Sequence, residues 1–191
     1  MKKNVAYILV ALVAAQMSTM VQAKTYQPYV GVSLPYSGFV LDSENTAEQD
    51  NTKVSGGLLF GIKYLTKSGV FFGAEAFYND TSGSYSYGNN STIEVESQYG
   101  INGHVGYDWG WGGSAYLITG LANLEYGLTD GQEHFEQQDL SVLYGAGAGY
   151  HFSDQLYSNI EISFSGDNAT FADEKYSTSL IVLRLGLIYC F

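Results

Sequence analysis

The last residues of the chain, 179–191, alternate strictly between large apolar side chains and a second set that holds an arginine, a glycine and smaller groups. Alternation with a period of two places these sets on opposite faces of a β-strand. One face carries only leucine, isoleucine, tyrosine and phenylalanine, while the other carries Arg184. Such a strand needs an apolar environment on one side and a polar one on the other.

The same alternation recurs along the chain and predicts eight strands. Composition agrees, because 17 tyrosines, 10 phenylalanines and 23 glycines accompany only 2 prolines, the residue that interrupts strand ladders. In two weaker segments, 29–36 and 114–126, either face could be the apolar one. The clearer segments are 57–64, 70–79, 98–109, 140–152, 156–165 and 179–191.

The connections between the predicted strands alternate in length. Short turns at 66–69, 110–113 and 153–155 are interspersed with longer, polar connections at 39–54, 80–93, 127–136 and 166–176. All long connections then lie at one end of the strands and all short turns at the other. This arrangement predicts an all-β fold, an eight-stranded antiparallel up-and-down transmembrane β-barrel.

The distribution of charge separates this barrel from a soluble one. Lys63, Glu75, Glu161 and Arg184 fall on the faces rich in small and polar residues, and the opposite faces are almost continuously apolar. In a bilayer the apolar face meets lipid, and closure of the barrel pairs the backbone groups of every strand. Aromatic residues near both strand ends fit the two membrane interfaces. The alternative is a secreted β-sandwich with an aromatic core.

The N-terminus has the pattern of a secretory signal peptide. Lys2 and Lys3 precede an uncharged apolar run at 5–15, and Val21 and Ala23 supply small residues before a cleavage site. A membrane-anchoring helix is the alternative, but spanning needs about 20 apolar residues. We therefore expect a cleaved signal peptide at 1–23 and a single barrel domain at 24–191. Loss of two lysines would change the net charge from −11 to −13.

Several function classes are disfavoured. The chain has only 8 lysines and arginines, which argues against nucleic-acid binding. The lone Cys190 excludes an internal disulfide and a zinc site built on paired cysteines. His104 and His151 fall on inward faces and His134 in a loop, without the spacing of a serine–histidine–acid site. We predict no enzymatic activity, no cofactor and no metal site.

Three stretches resemble the small OmpA/OmpX-like outer membrane barrels of the porin-family and surface-antigen type. They are GAGAGYHFSDQLYSNIEISFS at 145–165, LRLGLIYCF at 183–191 and VSGGLLFGIKYLTKSGVFFGAEAFY at 54–78. The resemblance covers 26–191. It implies location in the outer membrane of a Gram-negative bacterium, contact with lipopolysaccharide and a monomeric state. No segment resembles the peptidoglycan-binding domain of full OmpA proteins, so peptidoglycan anchoring is not expected.

The same resemblance gives a role to the aromatic C-terminus. In that family the closing strand is read by the barrel-assembly machinery, and the matching positions are Leu187, Tyr189 and Phe191. The alternative is that these residues are an ordinary apolar strand end.

The inward charges predict a network in the lumen. Pairing Ser165 with Leu180 puts Glu161 opposite Arg184, with Glu75 at a similar height and Lys63 nearer the short turns. Because an eight-stranded lumen is barely wider than its side chains, these charges are expected to plug it. A gate is the alternative that the resemblance suggests.

The long connections are acidic, with Asp42, Glu44, Glu48 and Asp50 in the first. They lack the pattern of a dedicated calcium loop, although divalent cations could bridge them to lipopolysaccharide. Two functions remain open. One is a structural or surface-interaction role, with acidic loops presented to a host surface or another extracellular partner; the other is a narrow porin-like channel for ions or small solutes.

Overall fold

The computed structural model describes residues 26–42, 53–87, 91–130, 133–171 and 174–191. Within these ranges, side chains are described for 26–38, 54–80, 97–125, 138, 140–165 and 180–191. The predicted signal peptide and the acidic side chains of the first long connection lie outside them. No helix in the described part of the chain is long and apolar enough to cross a membrane.

The described chain forms one antiparallel sheet that closes on itself. The strands are β1 (Tyr26–Asp42), β2 (Lys53–Val54), β3 (Gly57–Leu65), β4 (Val70–Tyr87), β5 (Ser91–Asp108), β6 (Gly113–Asp130), β7 (Glu133–His151), β8 (Leu156–Phe171) and β9 (Glu174–Cys190). From β3 onwards each strand pairs with the next, and β1 pairs with β3 on one side. On its other side β1 pairs with β9, from Tyr29↔Cys190 to Asp42↔Ser177. The two-residue β2 pairs with β1 just beyond β3, so the two segments together form one wall of an eight-stranded barrel.

The barrel has its apolar side chains outside and its charges inside, which confirms the predicted faces. Outward Leu117 and Leu185 are 63% and 50% exposed, whereas inward Glu75 and Arg184 are 3% and 4% exposed. An outer surface of this kind needs lipid rather than water as its neighbour. The two ambiguous strands are resolved as well, because Tyr29 on β1 and Tyr116 on β6 point inward and are buried.

The strands extend further towards the long connections than the sequence predicted. β4, β5 and β6 each contain 18 residues and β7 contains 19, while about 9–11 residues suffice to cross a bilayer. Most of the predicted connection at 80–93 is therefore strand. The prediction of a loop was wrong because the strands continue beyond the membrane. Outside the membrane both faces of a strand can be polar, so the alternation that marks a strand is lost there.

The short turns bring aromatic rings together at one rim, which we call the turn end; the opposite rim is the loop end. Trp109 and Trp111 stack with ring centroids 5.8 Å apart, held by a turn in which Gly110 and Gly112 adopt φ of 74° and 102°. L-residues rarely adopt these angles, which explains the glycines. Tyr36, Tyr78, Tyr99 and Phe164 face outward nearer the loop end, while Tyr126 and Tyr176 are not among the described side chains. Other contacts at the turn end join Tyr26 to Tyr64, Tyr107 to Trp109, Trp111 to Tyr150, Tyr150 to Phe152 and Tyr189 to Phe191.

Candidate functional site: charged clusters in the lumen

Three buried charged side chains meet in the middle of the lumen and form what we call the central cluster: Glu75, Glu161 and Arg184. The register Ser165↔Leu180 places Glu161 directly opposite Arg184 on neighbouring strands, as expected from the sequence. The Arg184 Nε donates to Glu161 Oε2 over 2.8 Å, and Nη2 donates to the same oxygen. Nη2 also donates to Glu75 Oε1 over 2.6 Å, so one guanidinium links two strands across the lumen.

Neutral partners complete the hydrogen bonding of the two carboxylates. The Tyr29 hydroxyl donates to Glu75 Oε2 over 3.0 Å. The Tyr116 hydroxyl and the Asn159 Nδ2 donate to Glu161 Oε1 over 2.6 Å and 2.8 Å. All four carboxylate oxygens therefore accept a hydrogen bond, which is what buried ionised carboxylates require to offset the loss of water.

Glycines on the neighbouring strands make room for the two tyrosines. Tyr29 pairs with Gly61 across β1 and β3, and Tyr116 pairs with Gly147 across β6 and β7. A Cβ atom at Gly147 would lie 2.6 Å from the Tyr116 ring, so alanine cannot be accommodated without moving that ring. Large aromatic residues thus lie over glycines and fill the lumen beside the central cluster.

Lys63 belongs to a separate turn-end cluster with Asp108 and His151. Its Nζ lies 3.3 Å from Asp108 Oδ2 and 3.4 Å from His151 Nε2. Its ammonium also lies 4.4 Å from the centroid of the Phe71 ring, a cation–π distance. The sequence placed Lys63 nearer the short turns but grouped it with Glu75, Glu161 and Arg184. The structure separates it from them and supplies a partner, Asp108, that was missed.

An apolar layer covers the central cluster on its loop-end side. The guanidinium carbon of Arg184 lies 5.5 Å from the Phe77 ring centroid. The layer consists of Leu59, Phe77, Ile118, Leu143 and Val182, all at most 5% exposed. These apolar side chains narrow the lumen without sealing it, because a small cavity among them is also lined by Arg184 and Glu161.

The remaining residues singled out from the sequence make none of the ion pairs of the two clusters. Leu187 and Tyr189 face outward and are 49% and 44% exposed. The Phe191 amide donates to the Pro28 carbonyl over 3.0 Å and its ring lies 5.3 Å from that of Tyr189. His104 faces the lumen with its ring 5.2 Å from that of Tyr116. Cys190 is a free, buried cysteine.

Sequence reasoning missed Tyr29, Tyr116 and Asn159 as partners of the carboxylates. Asn159 shared a predicted inward face with Glu161, two residues away, and that proximity was the available signal. Tyr29 and Tyr116 lay in the two segments whose faces were ambiguous. The inward face of β6 also holds Ile118, Ala122 and Leu124. Because these residues are apolar, the sequence pattern did not indicate that this face was the inward one.

The sequence matches the outer membrane protein beta-barrel domain over residues 7–188. The chain belongs to this family. The protein therefore resides in the outer membrane of a Gram-negative bacterium. Its membership agrees with the expectation that it is not an enzyme. No curated protein matches this chain.

Solved structures give the same fold at low sequence identity. Neisserial surface protein A is similar with a TM-score of 0.58 and 10% identity over 86% of this chain and 97% of its own. Ail, the attachment invasion locus protein of Yersinia pestis, gives 0.54 and 12% over 86% and 99%. A major outer membrane protein from Thermus thermophilus gives 0.51 and 12% over 87% and 99%. At these identities the likeness concerns the fold.

Proposed function

We propose that this outer membrane barrel is a rigid scaffold with a closed lumen, whose role is to present its loop-end surface to an extracellular partner. The observation that carries the proposal is the central cluster beneath the apolar layer. Arg184, Glu75 and Glu161 are at most 4% exposed. A lumen filled in this way favours a surface role over transport.

The lengths of the strands support the same proposal. With about 9–11 residues needed to cross the bilayer, β7 with 19 residues has nearly half its length outside it. Because the long connections lie at the loop end, that extra length raises them above the lipid surface. Paired backbone holds the raised part in place and thereby favours presentation of the connections to a partner.

The charge of the connections indicates the chemistry of the partner. Ail has been crystallised in complex with the heparin analogue sucrose octasulfate. The present chain carries 19 acidic residues against 8 basic ones, with Asp42, Glu44, Glu48 and Asp50 clustered in the first connection. A sulfated polyanion would be repelled by that surface. We propose a partner with a basic surface, or anionic lipopolysaccharide bridged by divalent cations.

The test replaces Asp42, Glu44, Glu48 and Asp50 together by Asn or Gln on barrels displayed by bacterial cells. Binding of the cells to an immobilised basic protein and to cultured host cells is then measured. We expect the neutralised variant to bind more weakly at low salt and the difference to shrink as salt is raised. A matched control neutralises Glu125, whose carboxylate is already bonded to Ser97 and Gln138. Equal binding by all three strains would refute the proposal.

A narrow channel is the second candidate, and one observation favours it. Small cavities lie on both sides of the central cluster, with Glu75 lining one and Arg184 the other. Movement of these side chains would join the two. Planar-bilayer recordings on refolded protein distinguish the candidates, because the scaffold predicts no single-channel steps and the channel predicts steps that change in an Arg184 variant.

A further inference from the structure

Three potential metal ligands converge beside the central cluster. Ligand atoms of Glu75, His104 and Glu161 all lie within 4.8 Å of one another. Glu75 and His104 are on adjacent strands, where the pair Gly73↔His104 makes them diagonal neighbours on the inward face. Glu161 reaches the same point from β8, beneath Tyr116, whose ring packs against His104. The grouping depends on barrel closure and cannot be read from sequence spacing.

Two buried polar atoms of residues that line this part of the lumen have no hydrogen-bond partner among the described residues. They are His104 Nε2 and Asn159 Oδ1, and the second lies over Gly186 on β9. Asn159 is itself only 6% exposed, and its Nδ2 already donates to Glu161. A neutral imidazole nitrogen and an amide oxygen can both supply a lone pair to a cation or to a water molecule bound to it. Unpartnered buried polar atoms of this kind call for a polar occupant.

The lumen has room for such an occupant. A cavity of about 30 Å³ is lined by Glu75, His104, Tyr116 and Asn159, with Lys63 and His151 at its turn end. This volume holds about two water-sized groups. Glu161 lines the neighbouring cavity on the loop-end side, so its carboxylate must turn towards this one to reach an ion there. The side chains of Lys63 and His151 are 12% and 17% exposed, which makes the turn end the route of entry.

The balance of formal charge also favours a cation. Among the described lumen side chains, the carboxylates of Glu75, Glu161 and Asp108 face the two cations Arg184 and Lys63. Ionised carboxylates therefore outnumber permanent cations by one. Buried charge without compensation is costly, so the excess attracts a positive ion to the cavity.

We propose that Glu75, His104 and Glu161 bind a divalent transition-metal ion with the preferences of Zn²⁺. Imidazole nitrogen and carboxylate oxygen are ligands of Zn²⁺, whereas Ca²⁺ and Mg²⁺ select oxygen ligands. Three protein ligands leave the fourth position to a water in the cavity. Arg184 keeps its hydrogen bonds to the carboxylates and acts as an outer-shell donor.

Binding requires a small contraction of the site. Tetrahedral ligands about 2.0–2.1 Å from Zn²⁺ lie roughly 3.4 Å apart, so atoms now up to 4.8 Å apart must approach by side-chain rotation. Each oxygen of Glu75 accepts one hydrogen bond from a described side chain and keeps a lone pair for the metal. At Glu161 the Tyr116 hydroxyl would turn away from Oε1.

The experiment uses the barrel refolded in detergent micelles, in a buffer free of phosphate and chelators. ZnCl₂ is titrated by calorimetry and CoCl₂ by visible absorption, whose intensity reports four-coordinate Co²⁺. We expect one ion per barrel and a higher urea midpoint in the presence of Zn²⁺. Since loss of an outer-shell partner alone costs about 10–100-fold in metal affinity, His104→Asn should weaken binding at least that much.

The matched control is His151→Asn, which removes the described lumen histidine at the entrance of the cavity. Because His151 is not one of the three ligands, this change is expected to alter the rate of Zn²⁺ uptake and to leave the equilibrium affinity unchanged. If His104→Asn does not fold, Glu75→Gln serves instead, because its amide oxygen can still accept a hydrogen bond from Arg184. The proposal is overturned by a folded wild-type barrel that takes up no Zn²⁺. It is equally overturned if His104→Asn binds as tightly as wild type, or if His151→Asn abolishes binding.

Discussion

Each of the two charged clusters of the lumen contains one cationic side chain, but the two clusters differ in the number of carboxylates that surround it and in its burial. In the central cluster one guanidinium bridges two carboxylates that are 3% exposed and fully hydrogen-bonded. In the turn-end cluster the Lys63 ammonium meets one carboxylate at 3.3 Å, with both side chains 12% exposed. A planar guanidinium suits a bridging position, whereas a flexible ammonium suits a rim where water is near.

Charges on the same inward face are therefore expected to contribute differently to stability, according to how deeply they are buried. At the central cluster, removal of one member leaves buried charge without a partner, which is costly. At the turn end both side chains are 12% exposed, so we expect solvent to screen this pair more than the central cluster and its contribution to be smaller. The lumen is therefore expected to be held together at its middle and to loosen first at the short turns.

The largest expected effect is that of Arg184→Leu. It leaves Glu75 and Glu161 facing each other without their cation, and loss of one partner from a buried ion pair costs about 3–5 kcal/mol. Urea unfolding in lipid vesicles and the heat-induced shift in gel mobility measure the loss. Joint replacement of Glu75, Glu161 and Arg184 by apolar residues should be milder, because no unpaired charge remains. An Arg184→Leu barrel as heat-resistant as wild type would show that water already screens the central cluster.

A smaller effect is expected from Gly147→Ala. The added methyl group would displace the Tyr116 ring and weaken its hydrogen bond to Glu161, and overpacking of this kind costs about 1–3 kcal/mol. The same urea titration measures it. Gly103→Ala is the matched control, since the nearest atom to a Cβ there is the Thr119 carbonyl oxygen at 3.6 Å. Equal stability of the two variants would argue against a tightly filled lumen.

Lys63→Leu should cost less than Arg184→Leu, because it leaves one carboxylate without its cation instead of two, and that carboxylate is more exposed. The variant leaves Asp108 3.8 Å from His151. Stability is measured at low and high salt, and we expect wild type and variant to converge at high salt while Arg184→Leu remains destabilised. A loss as large as that of Arg184→Leu would remove the distinction between the two clusters.

Deletion of Phe191 should change the stability of the refolded barrel least, since the residue lies outside both clusters and outside the lumen. Its proposed role in recognition by the assembly machinery, with Leu187 and Tyr189, predicts a separate effect in cells. The amount of heat-modifiable barrel in outer membranes should fall more than the refolding yield in detergent. Equal amounts of truncated and full-length barrel in cells would contradict that role.

Strand number, order and inward faces could be predicted because one physical constraint, lipid outside and polar groups inside, acts on every second residue. Prediction from this alternation fails where the constraint is absent. Beyond the membrane, residues such as Ser84 and Thr92 lie on paired strands, although the polar stretch that contains them, 80–93, was predicted to be a connection. Likewise, the face on which Tyr116 lies could not be predicted, because the inward Ile118 on the same strand is as apolar as the outward residues.

The lumen contacts could be predicted only between adjacent strands. Glu161 and Arg184 follow from hairpin register alone. The contact of Lys63 with Asp108 crosses from β3 to β5, and the stagger of the closed barrel decides it. Their shared position near the short turns was nevertheless visible, since both lay on inward faces towards that end. The turn-end cluster could have been predicted by first grouping the inward charges according to their position along the barrel axis, and only then asking which of them lie on neighbouring strands.

The seam between β1 and β9 has a consequence for the order of events in folding. Its ladder of backbone pairs runs from Tyr29↔Cys190 to Asp42↔Ser177. Until β1 and β9 meet, each of them therefore has a partner strand on one side only. Contacts between residues so distant in sequence form slowly. Until they form, two unpaired edges face the bilayer, where each open backbone group is costly. We therefore expect insertion and closure to occur together, with no stable half-barrel between them.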